Sequence, residues 1–189
     1  GFLALKPAAV YLRQLLGRWR LEQGSLAAAE ITFIDAIKAS QKVGDANVPG
    51  SLYFWLATAQ QQQDKLGDSK ASLALAKRSS MEQKDLLYQA FSAQLEGYIL
   101  QEESSFSSAQ RAFEQALNLH KAIYCPLGTA IVEMEMAELF IKQSKADFAQ
   151  AHLQNAKQLI VNHRITSLES MLHDKQGMFF NFQPRVNAE

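Results

Sequence analysis

The sequence predicts an all-α protein, a right-handed solenoid of about four helical hairpins closed by a C-terminal capping helix. Three observations predict it. The first is a small-large-small stripe at helical spacing, Ala29, Phe33 and Ala36. It recurs as Ala109, Phe113, Ala116 and as Ala149, Leu153, Ala156, and in a more polar form as Ser72, Ala76, Ser79. The second is the step between the first members of these stripes, from position 29 to 72, from 72 to 109 and from 109 to 149. Near-constant steps of about 40 residues mark stacked helical hairpins. The third is composition: 48% hydrophobic residues with only four Pro and nine Gly in the chain, enough for a continuous core between long helices.

The elements follow in order. Residues 1–6 read as a short apolar lead-in, and Pro7 suits the first turn of a helix that runs to about Glu22. A tight turn at Gly24 leads to its partner helix, 25–41. The segment 44–50, GDANVPG, is the clearest linker, because Gly, Asp, Asn and Pro break helices for different reasons. Ser51 then caps the helix LYFWLATAQQQQDK, in which the glutamine run 60–63 reads as a polar helix face. Gly67-Asp68 turns the chain into the second outer helix, and 79–84 is the next connection. A long helix, 85–103, carries Leu86, Tyr88, Phe91, Leu95, Tyr98 and Ile99 on or near one side. Ser104-Ser105 turns, Phe106 anchors the helix of the third stripe, and 124–128, with Cys125-Pro126, breaks the chain again. The last full repeat spans 129 to about 161. One further helix, 167–176, points Leu168, Met171 and Leu172 inward and ends at a Gly177 cap. The apolar tail MFFNF, 178–182, suits folding back over the last repeat, or docking on a partner or a second copy as a homodimer.

The stripes and their companions resemble the tetratricopeptide repeat (TPR) family, in its long-period bacterial form of about 40 residues. The resemblance rests on Leu16-Gly17 followed by Ala29, Phe33 and Ala36; on Gly97 with Ala109, Phe113 and Ala116; and on Phe140 with Ala149, Leu153 and Ala156. It covers roughly residues 10–160. Arg13 stands where the family has an early bulky aromatic, and Arg20 fills the tyrosine slot with Trp19 beside it. The longer period is similar to that of bacterial signalling ATPases and the maltose-type transcription activator. The resemblance implies one domain over 1–189, with repeats at 7–43, 50–80, 83–121 and 127–161 and a cap and tail at 164–189.

Charge is balanced, 19 basic against 19 acidic side chains, so there is no general basic field for nucleic acid or an anionic membrane. No apolar run approaches the roughly 20 residues that span a bilayer. The single cysteine, Cys125, excludes an internal disulfide and a four-cysteine zinc site. The chain opens on Gly1, which reads as a processed product or a piece of a longer protein. The compartment expected is the cytoplasm, or the periplasm if a signal peptide or anchor was removed.

Chemistry is sparse. None of His120, His152, His163 and His173 pairs at i, i+4, and none has Cys or carboxylate at metal-site spacing, so no metal is expected. Cys125 precedes a helix start, which favours a reactive thiol, but it also fills a small apolar slot. Glu133, Glu135 and Glu138 cluster on one helix. They suit a cation site or an acid-base pair, or more plainly a solvated or groove-facing surface. No phosphate-cradling glycine loop and no nucleophile elbow is present. No cofactor is expected, and the chain reads as non-catalytic. Lys6, Arg13 and Arg20, spaced by seven, form either a basic ridge for an acidic partner or the solvated end of a solenoid.

What remains is surface. The first helix of each hairpin lines the concave side of such arrays. Projecting the stripe onto those helices places Gln14, Arg18, Gln61, Lys65, Gln94, Tyr98, Met134 and Glu138 along one groove. A polar groove of mixed charge suits an extended peptide or a partner helix. The Lys and Asn set of chaperone-binding relatives, which grips a terminal carboxylate, is absent, since Gln14 and Arg18 occupy the first of those sites. The function expected is a protein-interaction scaffold. The competing reading is a sensor or regulatory domain of a larger bacterial signalling protein or transcription activator, binding a small ligand or an intramolecular segment.

Overall fold

The structure is a computed structural model that describes residues 2–42 and 48–186, with side chains for 8–42 and 48–182. Among the described residues the chain is all-α: α1 (Phe2–Glu22), α2 (Leu26–Lys42), α3 (Gly50–Gln61), α4 (Leu66–Glu82), α5 (Leu86–Glu102), α6 (Phe106–Ala122), α7 (Pro126–Lys142), α8 (Ala146–His163) and α9 (Glu169–Val186), with a 3-10 turn at Thr166–Leu168. Consecutive helices joined by short turns pack as antiparallel hairpins. The chain divides into two compact units, Gly1–Ser92 and Ala93–Glu189.

One turn geometry recurs throughout. Left-handed φ values stand at one constant spacing or at twice it: Gly24 (70°), Asp64 (60°), Lys84 (55°), Ser104 (58°), Tyr124 (52°), Ser144 (59°) and Arg164 (52°). At each, the next amide donates to the carbonyl five positions back, from Ser25 to Arg20 and onward to Ile165 and Ile160, over 2.8–2.9 Å. This is the Schellman closure, which satisfies helix-end carbonyls. It leaves α4, α5, α6 and α7 at 17 residues each, about 25 Å at a rise of 1.5 Å per residue.

The repeat therefore runs evenly from turn to turn, from 24 to 64 to 104 to 144, and this register corrects the second stripe. The position equivalent to Ala29, Ala109 and Ala149 is Ser69, not Ser72. Ser69, Leu73 and Ala76 are 0%, 4% and 0% exposed, in line with the 0% of Ala29, Phe33, Ala36, Ala109, Phe113 and Ala116. Ser72 and Ser79 are buried as well, and all three serines act as hydrogen-bond donors. Ser69 Oγ donates to the Ala57 carbonyl (2.8 Å), Ser72 Oγ to Gln60 Oε1 (2.7 Å) and Ser79 Oγ to the Val48 carbonyl (2.6 Å).

The same register explains the glycines of the first helices. A Cβ at Gly17 would stand 2.5 Å from the Phe33 ring, and one at Gly97 2.6 Å from the Phe113 ring. One repeat on from each, the positions hold Ala57 and Ala137, and there the facing stripe residue is Leu73 or Leu153. Large aromatic meets no side chain, and smaller leucine meets a methyl.

Other boundaries differ from the sequence reading. Helix α1 begins at Phe2, so Pro7 lies in its second turn and the Leu3 carbonyl loses one amide donor. The run Phe2-Leu3-Ala4-Leu5, rich in strong helix formers, extends the helix past it. The cap of α3 is Pro49, not Ser51, and residues 44–47 of the linker lie outside the described residues. Asp64, not Gly67-Asp68, makes the next turn, and Ser79 to Glu82 still belong to α4. The glutamine run is not one face: Gln60 is buried, and 62–63 are in the turn. Gly177 lies inside α9 rather than capping it, so the tail 178–182 is helical. It continues α9 rather than forming a separate fold-back and still covers the last repeat, for Phe179 joins the core of the second unit and Phe182 packs against it, while Phe180 is 65% exposed.

Two expectations follow. Gly97→Ala, normally stabilising in a helix, costs about 1–3 kcal/mol here because its methyl meets the Phe113 ring; adding Phe113→Leu recovers most of the loss, read by urea unfolding. Lys84→Gly at φ 55° raises stability by about 0.5–1 kcal/mol, since it relieves left-handed strain at an exposed turn.

Candidate functional site

In the first unit, α1, α3 and the start of α5 build a face of aromatic and cationic side chains. Phe54 is buried and packs edge-on against Trp55 (5.1 Å between centroids) and Tyr88 (5.7 Å), and stacks with Phe91 (5.6 Å). Trp55 and Tyr88 are half-buried, and Trp55 Nε1 donates to Tyr88 Oη over 3.2 Å. The Arg18 guanidinium lies over the Trp55 ring, 4.8 Å from its centroid, a cation–π contact. Beside it Ser51 Oγ donates to Gln14 Oε1 (3.3 Å).

Of the predicted groove residues, Gln14 and Arg18 lie on this face. Gln61 and Lys65 do not. In the even register set by the turns, the positions equivalent to Gln14 and Arg18 are Phe54 and Thr58, about two helical turns before the projected pair, and Lys65 lies past the end of α3. Lys65 instead pairs with Glu30 of α2 (2.6 Å), which also accepts from Gln60 (3.2 Å) and Gln63 (2.9 Å). Burial, the largest influence on Glu30, pushes its pKa up, yet the donors from Lys65, Gln63 and Gln60 outweigh it and hold the carboxyl below its ordinary value. The basic ridge also comes apart. Arg13 is exposed and bonds the Ala9 carbonyl (3.1 Å), while Arg20 turns inward to the Ala28 carbonyl (3.3 Å) and to Thr32 Oγ1. The Lys6 side chain lies outside the described residues.

In the second unit the groove residues fare differently. Gln94 and Tyr98 are half-buried on α5. Met134 is 0% exposed and belongs to the core, so it lines no groove. Its helix, α7, is enclosed by α6, α8 and α9, which all pack on it. Lys175 of α9 reaches Glu138, which also binds Lys142 (3.0 Å) and Gln101 Nε2 (3.1 Å). Lys175 lies 3.8 Å from Glu135. Burial drives the Glu135 pKa up, and the Glu138 charge adds to it; burial also pushes Glu138 up, but Lys175 and Lys142 outweigh it and hold that carboxyl below its ordinary value. Glu135 and Glu138 thus sit in a closed ion-pair network rather than on the solvated or groove-facing surface expected of the glutamate cluster.

Glu133 points elsewhere. It is 3% exposed, at the floor of a cleft of about 440 Å³ between the end of α6, the start of α7 and the end of α8. His152 Nδ1 donates to Glu133 Oε2 (2.6 Å), and Asn155 Nδ2 reaches the same oxygen (3.3 Å). The His152 ring stacks on Phe140 at 5.3 Å, which fixes its aim. Glu133 and His152 lie on different helices, so no local spacing revealed the pair. For the aromatic face a signal existed: the run LYFWL, read with an even ruler from repeat to repeat. Among the described residues no cluster of three or more metal-ligating side chains occurs, and no helix is long and apolar enough to cross a membrane.

Fold and faces together define an all-α protein of helical-hairpin repeats. No family model matches the chain, and no curated protein does. Among solved structures it is similar to BtubC (BKLC) from P. vanneervenii, with a TM-score of 0.70 and 17% identity over 97% of this chain and 81% of that one. A likeness at that identity speaks to the fold.

His120 has a pH signature. It is 0% exposed, and burial holds its pKa below the usual 6.5. Below that pH the unfolded chain takes up a proton that the folded chain refuses, so stability falls as pH drops from 6.5 toward the folded pKa. His120→Gln removes up to one proton from that slope, measured by denaturant unfolding between about pH 5 and 8.

Proposed function

We propose that this chain is a non-catalytic protein-interaction module of tetratricopeptide-repeat type, and that it takes an extended peptide or a partner helix on the α1–α3–α5 face of its first unit. The observation that carries this reading is the Arg18–Trp55–Tyr88 cluster. Binding energy in protein interfaces concentrates in Trp, Tyr and Arg, and half-buried rings held by neighbours lose little entropy on contact. Trp55 is held by Phe54 and by its hydrogen bond to Tyr88, so the surface is pre-organised. Kinship to the repeat family is supported by the even register of the stripes and by the glycines at 17 and 97. A second reading, a sensor domain that takes a small ligand, is favoured by one observation, the cleft over Glu133.

Peptides selected from a display library on the immobilised full chain provide the test. Arg18→Ala and Trp55→Ala each weaken their binding by about 1–3 kcal/mol by calorimetry, and Arg18→Ala leaves the melting temperature nearly unchanged. Full-strength binding by the double variant places the site elsewhere.

A further inference from the structure

We propose that the cleft over Glu133 binds a small zwitterion, an α-amino acid with an apolar side chain. The proposal rests on the sensor reading and is independent of the aromatic face. The cleft lies wholly within the second unit, and its volume, about 440 Å³, falls in the range of small-molecule sites.

Its polar floor is built and half-satisfied. Both protein donors to Glu133, from His152 and Asn155, go to Oε2. Among the described residues Oε1 has only Lys121 Nζ at 4.0 Å, beyond hydrogen-bond reach, although Glu133 is 3% exposed. The carboxylate oxygen and the ammonium thus form a loose ion pair in one cleft, too long for a hydrogen bond, so each keeps hydrogen-bonding capacity for a ligand. A ligand of net charge would answer only one of them. A zwitterion answers both: its ammonium donates to Glu133 Oε1, and its carboxylate accepts from Lys121. In an α-amino acid one carbon carries both groups, which suits binding sites 4.0 Å apart. Tyr124, Pro126 and Leu159 supply the apolar wall for the side chain. Tyr124 is 92% exposed, so its ring is presented at the rim rather than packed.

The test uses the full chain and three probes: L-leucine, isoamylamine, which lacks the carboxylate, and 4-methylpentanoate, which lacks the ammonium. In titration calorimetry L-leucine binds, and each one-charge analogue binds at least about tenfold more weakly. Lys121→Met, at a side chain 57% exposed, weakens L-leucine by a similar factor and leaves isoamylamine unchanged. Glu133→Gln weakens L-leucine and leaves 4-methylpentanoate unchanged; should it fail to fold, Lys121→Met still decides. Cys125 is the sole cysteine and lines the cleft, so saturating L-leucine slows its alkylation. Analogues that bind as well as leucine overturn the zwitterion while leaving a ligand cleft. No heat and no protection of Cys125 at millimolar L-leucine overturn the proposal, and if the two analogues are equally silent the sensor reading loses its support.

Discussion

The fold depends on one closure, the left-handed turn that ends α1 and α3 to α8. It fixes helix length, and helix length fixes register. With helix and turn of constant combined length, the position facing Phe33 or Phe113 in a hairpin is always the same one of the first helix, Gly17 or Gly97. A single inserted residue would rotate that position by about 100° around the helix and bring a side chain against the ring. The turns accept Asp64, Lys84, Ser104, Tyr124, Ser144 and Arg164 at positive φ, where glycine would cost less. The paired hydrogen bonds and the packing they place in register outweigh that cost.

The fold was legible because its signal is local. Ala29, Phe33 and Ala36 sit within two turns of one helix, and the spacing alone puts them on one side. The second repeat misleads because Ser72-Ala76-Ser79 and Ser69-Leu73-Ala76 both present small residues at i and i+7, although only the second has a large residue between them. The turn at Asp64, which lacks glycine, gives the sequence no mark of the register that selects it. Projection along the first helices reaches Arg18 but not Trp55, and it sets Lys65 beside Arg18 although that side chain bonds Glu30.

What stayed illegible depends on partners far along the chain. Met134 reads as a surface contact until α6, α8 and α9 enclose α7. Glu133, Glu135 and Glu138 read as one acidic cluster, yet the helix sends the first to His152 and the other two toward Lys175. Consecutive residues on a helix advance by about 100°, so Glu133 and Glu135 are about 200° apart and meet different neighbours. No property of the segment 133–138 says which neighbours those are.

The two polar networks also explain how α7 can be buried nearly all round and still carry three carboxylates. Its buried residues include Ala130, Val132, Met134, Met136 and Leu139, a helix interior to the unit. An apolar helix so enclosed packs almost equally well after small rotations, because hydrophobic contact is not directional. Buried ions are directional. Each one left without its partner costs several kcal/mol, though the pair itself adds little net stability. Lys175 can satisfy Glu138 and approach Glu135 only from one docking of α9, and His152 can reach Glu133 only from one pairing of α8. The charges therefore select the arrangement that the apolar core stabilises. They do so from two sides of α7, which leaves the cleft side with one carboxylate oxygen still open.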